Sequence, residues 1–253
     1  MRIDWAMPRA GFVMLVLALA VSVARAQTSR DEAWRWCARD SAAVTLTAQV
    51  AGCSWVIDSG QEAAVNQAIA FSNRCNAMQA RGEQTSAIAD CDAAVRLDPG
   101  NELALIGRGL ARHDLGELAA AILDYTAALA INPRNSYALA NRAIAQHRLG
   151  HTGPAQSDIN AAIAAAAEDN GWPHAARGAL AMLRDDVFAA GRDLTEALRR
   201  EPQNANILQL RSLLRARRGD PARAQADATA ARAINARAVQ SVVDIFGPAI
   251  ARR

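Results

Sequence analysis

The sequence predicts an all-α fold, an α-solenoid of antiparallel helix hairpins. Three observations predict it. Apolar residues recur at three- and four-residue steps through Leu103, Ile106 and Leu110, then through Leu118, Ile122, Tyr125 and Leu129, which is the spacing of one helical face. Gly116 separates the two runs and Pro133 ends the second, so the stretch reads as helix, turn, helix and stop. The third observation is that this hairpin has copies along the chain. One hairpin alone cannot bury its apolar face, whereas stacked copies can.

With Glu102 as position 1 of a 34-residue frame, the other frames begin at Ala68, Ser136, Gly171 and Ala205, and Asn170 is one extra residue before the fourth. The repeats are therefore residues 68–101, 102–135, 136–169, 171–204 and 205–238. Position 8 is small in all of them: Cys75, Gly109, Ala143, Gly178 and Ser212. Position 20 is Ala87, Ala121, Ala155, Ala190 and Ala224, and position 27 is Ala94, Ala128, Ala162, Ala197 and Ala231. Position 15 is Gly82, Gly116, Gly150, Asp185 and Gly219. Small residues let helix A of a hairpin approach helix B closely, so their placement fixes where the two cross. The period and these positions resemble the tetratricopeptide repeat (TPR), over about two thirds of the chain. Two positions depart from the family. Its aromatic at position 4 is Phe71, Leu105, Leu139, His174 and Leu208, and its tyrosine at position 11 is Met78, Arg112, Gln146, Ala181 and Arg215.

Taken in order, residues 1–26 read as a signal peptide. Arg2 and Arg9 precede an apolar run from Phe12 to Val21, and Ala24-Arg25-Ala26 forms an A-x-A cleavage site before Gln27. The run is short for a membrane span, although retention as an anchor is the alternative. The expected location is periplasmic or secreted, with no membrane span after cleavage. Residues 27–67 read as a degenerate hairpin that breaks near Asp40-Ser41, either of which suits an N-cap. In each repeat, helix A covers roughly the first 14 positions and helix B roughly positions 17 to 30. Residues 239–253 follow, with a capping helix over Val239 to Phe246 and a stop at Gly247-Pro248.

The chain carries +3. The first 26 residues hold three arginines against Asp4, so 3 − 1 = +2 belongs to the leader and about +1 to the rest. That balance gives no basis for nucleic-acid binding. There is no lysine; every basic residue is arginine.

The four cysteines are Cys37, Cys53, Cys75 and Cys91, and an even count in an exported chain points to disulfides. Three pairings are possible, and the frame chooses among them. Cys75 and Cys91 hold positions 8 and 24 of the first repeat, 16 apart, and Cys37 and Cys53 are also 16 apart. Positions 8 and 24 face each other across the A–B contact, so the expected links are Cys37–Cys53 and Cys75–Cys91. One residue earlier runs a charge pattern. Position 7 is Arg74, Arg108, Arg142, Arg177 and Arg211; position 23 is Asp90, Asp124, Asp158, Asp193 and Asp227. Constant spacing in every repeat predicts structural ion pairs between helix A and helix B.

No catalytic motif is present, and neither enzyme activity nor a cofactor is expected. His113 and His147 share position 12 of adjacent repeats, but no third ligand accompanies them, so no metal site is expected. The TPR resemblance implies a protein–protein interaction module with a protein or peptide partner on its concave face. Helix A positions 2, 5, 9 and 12 would line that groove. The residues are Leu103, Ile106, Leu110 and His113, then Tyr137, Ile144 and His147, then Trp172 and Met182, with Ala140, Ala175 and Ala179 between them. The alternative is a structural scaffold of an envelope complex that self-associates as a homo-oligomer.

Overall fold

The computed structural model describes residues 29–235, apart from 40 and 42. The leader at residues 1–26, the start at Gln27, Asp40 as a cap and the helix from Val239 to Phe246 lie outside the described residues. Twelve helices follow one another among the described residues, and no strand occurs among them. Helix α1 covers residues 29–38 and α2 is Leu46–Asp58. Then come α3 (Ala64–Arg81) and α4 (Gln84–Leu97), α5 (Glu102–Asp114) and α6 (Leu118–Ile131), and α7 (Ser136–Arg148) and α8 (Thr152–Ala165). The last four are α9 (Trp172–Leu183), α10 (Val187–Arg200), α11 (Ala205–Arg217) and α12 over residues 221–235. The fold is an all-α helical repeat.

Each helix begins and ends for local reasons. Asparagine caps three of the A helices: the Asn101 side chain accepts from the Ala104 amide, Asn135 from Ala138, and Asn204 from Asn206 and Ile207. Such a cap satisfies amides that have no partner inside the helix. The A-to-B turn needs a left-handed residue. Gly82, Gly116, Gly150 and Gly219 have φ of 73°, 81°, 83° and 76°, and Asp185 takes the same conformation at 67°. In the N-terminal hairpin the cap of α2 is Thr45, whose hydroxyl accepts from the Ala48 amide, and not Ser41. The break is longer than the sequence suggests, so helix α2 starts at Leu46.

The hairpins stack in two layers. Each A helix packs on its own B helix, consecutive A helices pack on one another, and each B helix packs on the A helix that follows. Close approach is what the small residues permit. Gly109 faces Tyr125 so tightly that an added Cβ would lie 2.6 Å from the ring. The alanines at positions 20 and 27 are buried in all five repeats. A continuous apolar cluster runs from Leu105 through Ile144 and Leu180 to Leu214 and Ala231. Burial along this cluster, rather than within any one hairpin, is the main source of stability. The two cysteine pairs sit in smaller clusters at the N-terminal end.

Candidate partner-binding face

The side chains at positions 7 and 23 meet in every repeat. The Arg74 guanidinium donates through Nε and one terminal nitrogen to the two oxygens of Asp90, at 2.6 and 2.8 Å. Arg142 holds Asp158 in the same fork at 2.7 and 2.8 Å, Arg177 holds Asp193 at 2.9 and 2.6 Å, and Arg211 holds Asp227 at 2.8 and 2.8 Å. Arg108 puts both donors on one oxygen of Asp124, at 3.0 and 2.7 Å, while Arg112 takes the other at 2.7 Å. The carboxylates are deeply placed; the Asp124 side chain is 3% exposed. A carboxylate removed from water needs such charge-assisted bonds. Bonding to Asp90 raises the Arg74 guanidinium further above its ordinary value.

Sequence reasoning missed a second arm of this ladder. The remaining nitrogen of the same arginines reaches the B helix of the preceding hairpin. Arg74 donates to the Ser54 hydroxyl at 2.9 Å, Arg108 to Asp92 at 2.6 Å and Arg142 to the Thr126 hydroxyl at 3.1 Å. All three acceptors stand at position 25, one residue after the position of Cys53 and Cys91. A polar residue recurring there was the available signal. Asparagines just ahead of the A helices also tie repeats together: Asn135 donates to Glu102, and Asn170 to the Ser136 hydroxyl at 3.0 Å.

The cysteines are joined as Cys37–Cys53 and Cys75–Cys91, with Cα atoms 4.5 and 5.4 Å apart. Each link crosses one A–B hairpin. The first hairpin is held further by Glu62, a buried carboxylate that accepts from Arg30 at 2.6 and 2.9 Å, from the Trp34 ring nitrogen at 3.0 Å and from Asn66 at 3.0 Å. The Arg30 bond, followed by those from Trp34 and Asn66, outweighs burial and holds the Glu62 carboxyl down at about 2.

The expected groove is more closed than the sequence implies. Ile106, Ile144 and Met182 are buried and belong to the main apolar cluster, while Leu110 and Trp172 are partly buried against it. His113 is 3% exposed, and His147 is half-buried. The reason is the packing of consecutive A helices on one another, which seals positions 5, 9 and 12 between them. Burial, and to a lesser extent the Arg148 charge, pushes the His113 imidazole down to about 4. It is therefore neutral near pH 7. Among the described residues no group of three metal-ligating side chains converges. Position 2 stays open. Ile69 is 43% exposed, Leu103 60% and Tyr137 43%, with Trp172 half-buried at the end of the row. Ile69 holds position 2 of the first repeat and starts the row. A shallow concavity lies between Ile69 and Leu103, floored by Ser72 and Asn73.

A family model described as TPR repeat matches residues 109–150. No curated protein is similar enough to count as a relative. Solved structures are similar in fold. A tetratricopeptide repeat protein from Parabacteroides merdae ATCC 43184 is 16% identical, with 88% of this chain and 91% of that chain covered and a TM-score of 0.55. A thermophilic TPR protein of Thermus thermophilus is also 16% identical, over 75% of this chain and 97% of that one, with a TM-score of 0.58. A chain of the APC/C hetero-tetramer Cut9-Hcn1 is 12% identical over 82% of this chain and 42% of its own length, with a TM-score of 0.58. The match to the repeat model and the likeness to these solenoids together support a TPR protein.

Proposed function

We propose that the chain is an exported protein–protein interaction module. Its A-helix face takes a partner helix or extended peptide along the row Ile69, Leu103, Tyr137 and Trp172. The observation that carries this reading is the row itself: three large apolar side chains exposed at one position of consecutive repeats, continued by the half-buried Trp172, where neighbouring positions are sealed. Isolated apolar residues on a surface need no explanation, but a row at solenoid spacing presents a continuous contact. Tyrosine and tryptophan are common anchors in such contacts. Export is supported by the leader pattern and by two disulfides, which persist in oxidising compartments. No helix among the described residues is long and apolar enough to cross a membrane. No catalytic role is assigned.

The test is capture of partners by the mature chain from envelope extract, identified by mass spectrometry, followed by affinity measurement with the captured partner. Leu103→Ala with Tyr137→Ala should weaken that affinity about a hundredfold or more, with an unchanged circular dichroism spectrum. Undiminished affinity moves the site off this face. A second reading, a self-associating scaffold, draws on the B helices, where Leu123 is 70% and Phe188 76% exposed. Concentration-dependent sedimentation abolished by Leu123→Ser, with Tyr137→Ala without effect, would select it.

A further inference from the structure

The fourth repeat has the smallest side chain at position 11, and a cavity lies beside it. At position 11, Arg112 and Arg215 reach across to the position-23 aspartates of their own repeats, each at 2.7 Å. The fourth repeat has Ala181 there. Where the longer side chain would lie, between α9 and α10, is a cavity of about 450 Å³. His174, which replaces the apolar residue at position 4, lines it together with Arg177 and the exposed Arg184 and Arg192.

The charges there are unevenly satisfied. Arg177 uses two nitrogens on Asp193, but its third has no counterpart to the Ser54, Asp92 or Thr126 contacts of the first three repeats. Its side chain is 36% exposed, against 16%, 17%, 19% and 27% for the other ladder arginines. Arg184 and Arg192 make no hydrogen bond or ion pair with described residues. The one other carboxylate at the cavity, Glu196, is held by Arg199 and Arg200 at 2.8 and 2.7 Å. The three arginines and two carboxylates that line the cavity leave 3 − 2 = +1, and both carboxylates are already held by arginines. The buried His174 ring adds an Nδ1 with no hydrogen-bond partner. Burial first, and then the Arg200 and Arg177 cations, lower its basicity, so near pH 7 it adds no charge of its own.

We propose that this cavity is a second binding site, taking the oxyanion group of a small ligand, a carboxylate or a phosphate. Arg184 and Arg192 hold the group at the mouth, and the free nitrogen of Arg177 meets it from the wall. Guanidinium groups are well matched to such anions, because they offer paired donors in a fixed plane. The site is separate from the position-2 row, since it opens between the A and B helices of one hairpin.

The probes are inorganic phosphate and acetate, titrated into the mature chain at constant ionic strength against sodium chloride. The arginine Nε–H signals and the His174 ring are followed by NMR. Saturable shifts at Arg177, Arg184 and Arg192, with the His174 pKa rising as the anion binds, are expected for at least one probe. The probe that saturates at lower concentration identifies the ligand's head group. Ala181→Arg is the decisive variant. It restores the side chain found in the second and fifth repeats and fills the cavity, yet adds positive charge. A built site loses anion binding in this variant; mere surface attraction gains it. Arg184→Gln with Arg192→Gln, both at exposed positions, should weaken binding about tenfold or more, and decides the matter if Ala181→Arg does not fold. Shifts no larger than those produced by chloride, or undiminished binding in the folded Ala181→Arg protein, would overturn the proposal.

Discussion

Asp185 occupies a backbone conformation that glycine holds at the same turn of the four sister repeats. A residue with a Cβ is strained there, by roughly 1 kcal/mol. The aspartate has one compensating contact, a 2.6 Å bond from Arg217, but its side chain is 62% exposed and such a pair adds little. Arg217 also keeps its bond to the Met182 carbonyl. Asp185→Gly is therefore expected to raise the melting temperature by about 2–4 °C, read by calorimetry; a lower value would show that the Arg217 contact outweighs the strain. Glu62 is the opposite case, a single residue whose loss matters. Its carboxyl titrates at about 2 in the fold against an ordinary 4.5. A depressed carboxyl stabilises fully above its unfolded value, and the contribution is lost as pH falls through the folded one. The first hairpin should accordingly loosen between about pH 4.5 and 2, read by Trp34 fluorescence. In Glu62→Gln that transition should be missing; an unchanged transition would assign it to other groups.

The ladder belongs to the scale of the helix pair. Much of it was legible, because arginine at position 7 and aspartate at position 23 recur at one spacing and a hairpin crossing brings them together. What was not legible is which pairs are shared. Asp124 serves Arg108 and Arg112, and Arg108 also serves Asp92, so removing Asp124 leaves Arg108 a second partner. The third-repeat pair is cleaner, since Arg142 has only the Thr126 hydroxyl besides Asp158. Asp158→Ala should destabilise by about 3 kcal/mol, and adding Arg142→Met should recover part of this by removing the stranded charge. Additive losses in chemical denaturation would show that the two side chains do not act as a pair. The groove shows the other limit of the sequence. Periodicity assigned positions 2, 5, 9 and 12 to one helical face, but how much of that face the next A helix covers depends on interhelical distance. Alanines at Ala140, Ala175 and Ala179 let consecutive A helices close over Ile144 and Met182. Only the row at the helix starts remained open.

At the scale of the whole molecule, the chain is a stack in which each hairpin meets only its neighbours. The 34-residue frame made that architecture legible from the sequence. The closed groove, the second arm of the ladder and the cavity beside Ala181 were not legible, since each depends on where one repeat meets the next or on a side chain that is missing. The stack is also unevenly reinforced. Both disulfides lie in the first two hairpins, and the later repeats have no such link. In the chain-entropy account a link closing a loop of this length contributes about 3 kcal/mol. In a stack, that contribution is local, because neighbours couple only through their interfaces. Hydrogen exchange along the intact chain, with and without a reductant, tests this most directly. Reduction is expected to accelerate exchange in α1 to α4 and to leave α9 to α12 unchanged. Uniform acceleration across all twelve helices would contradict it and describe a single cooperative body instead.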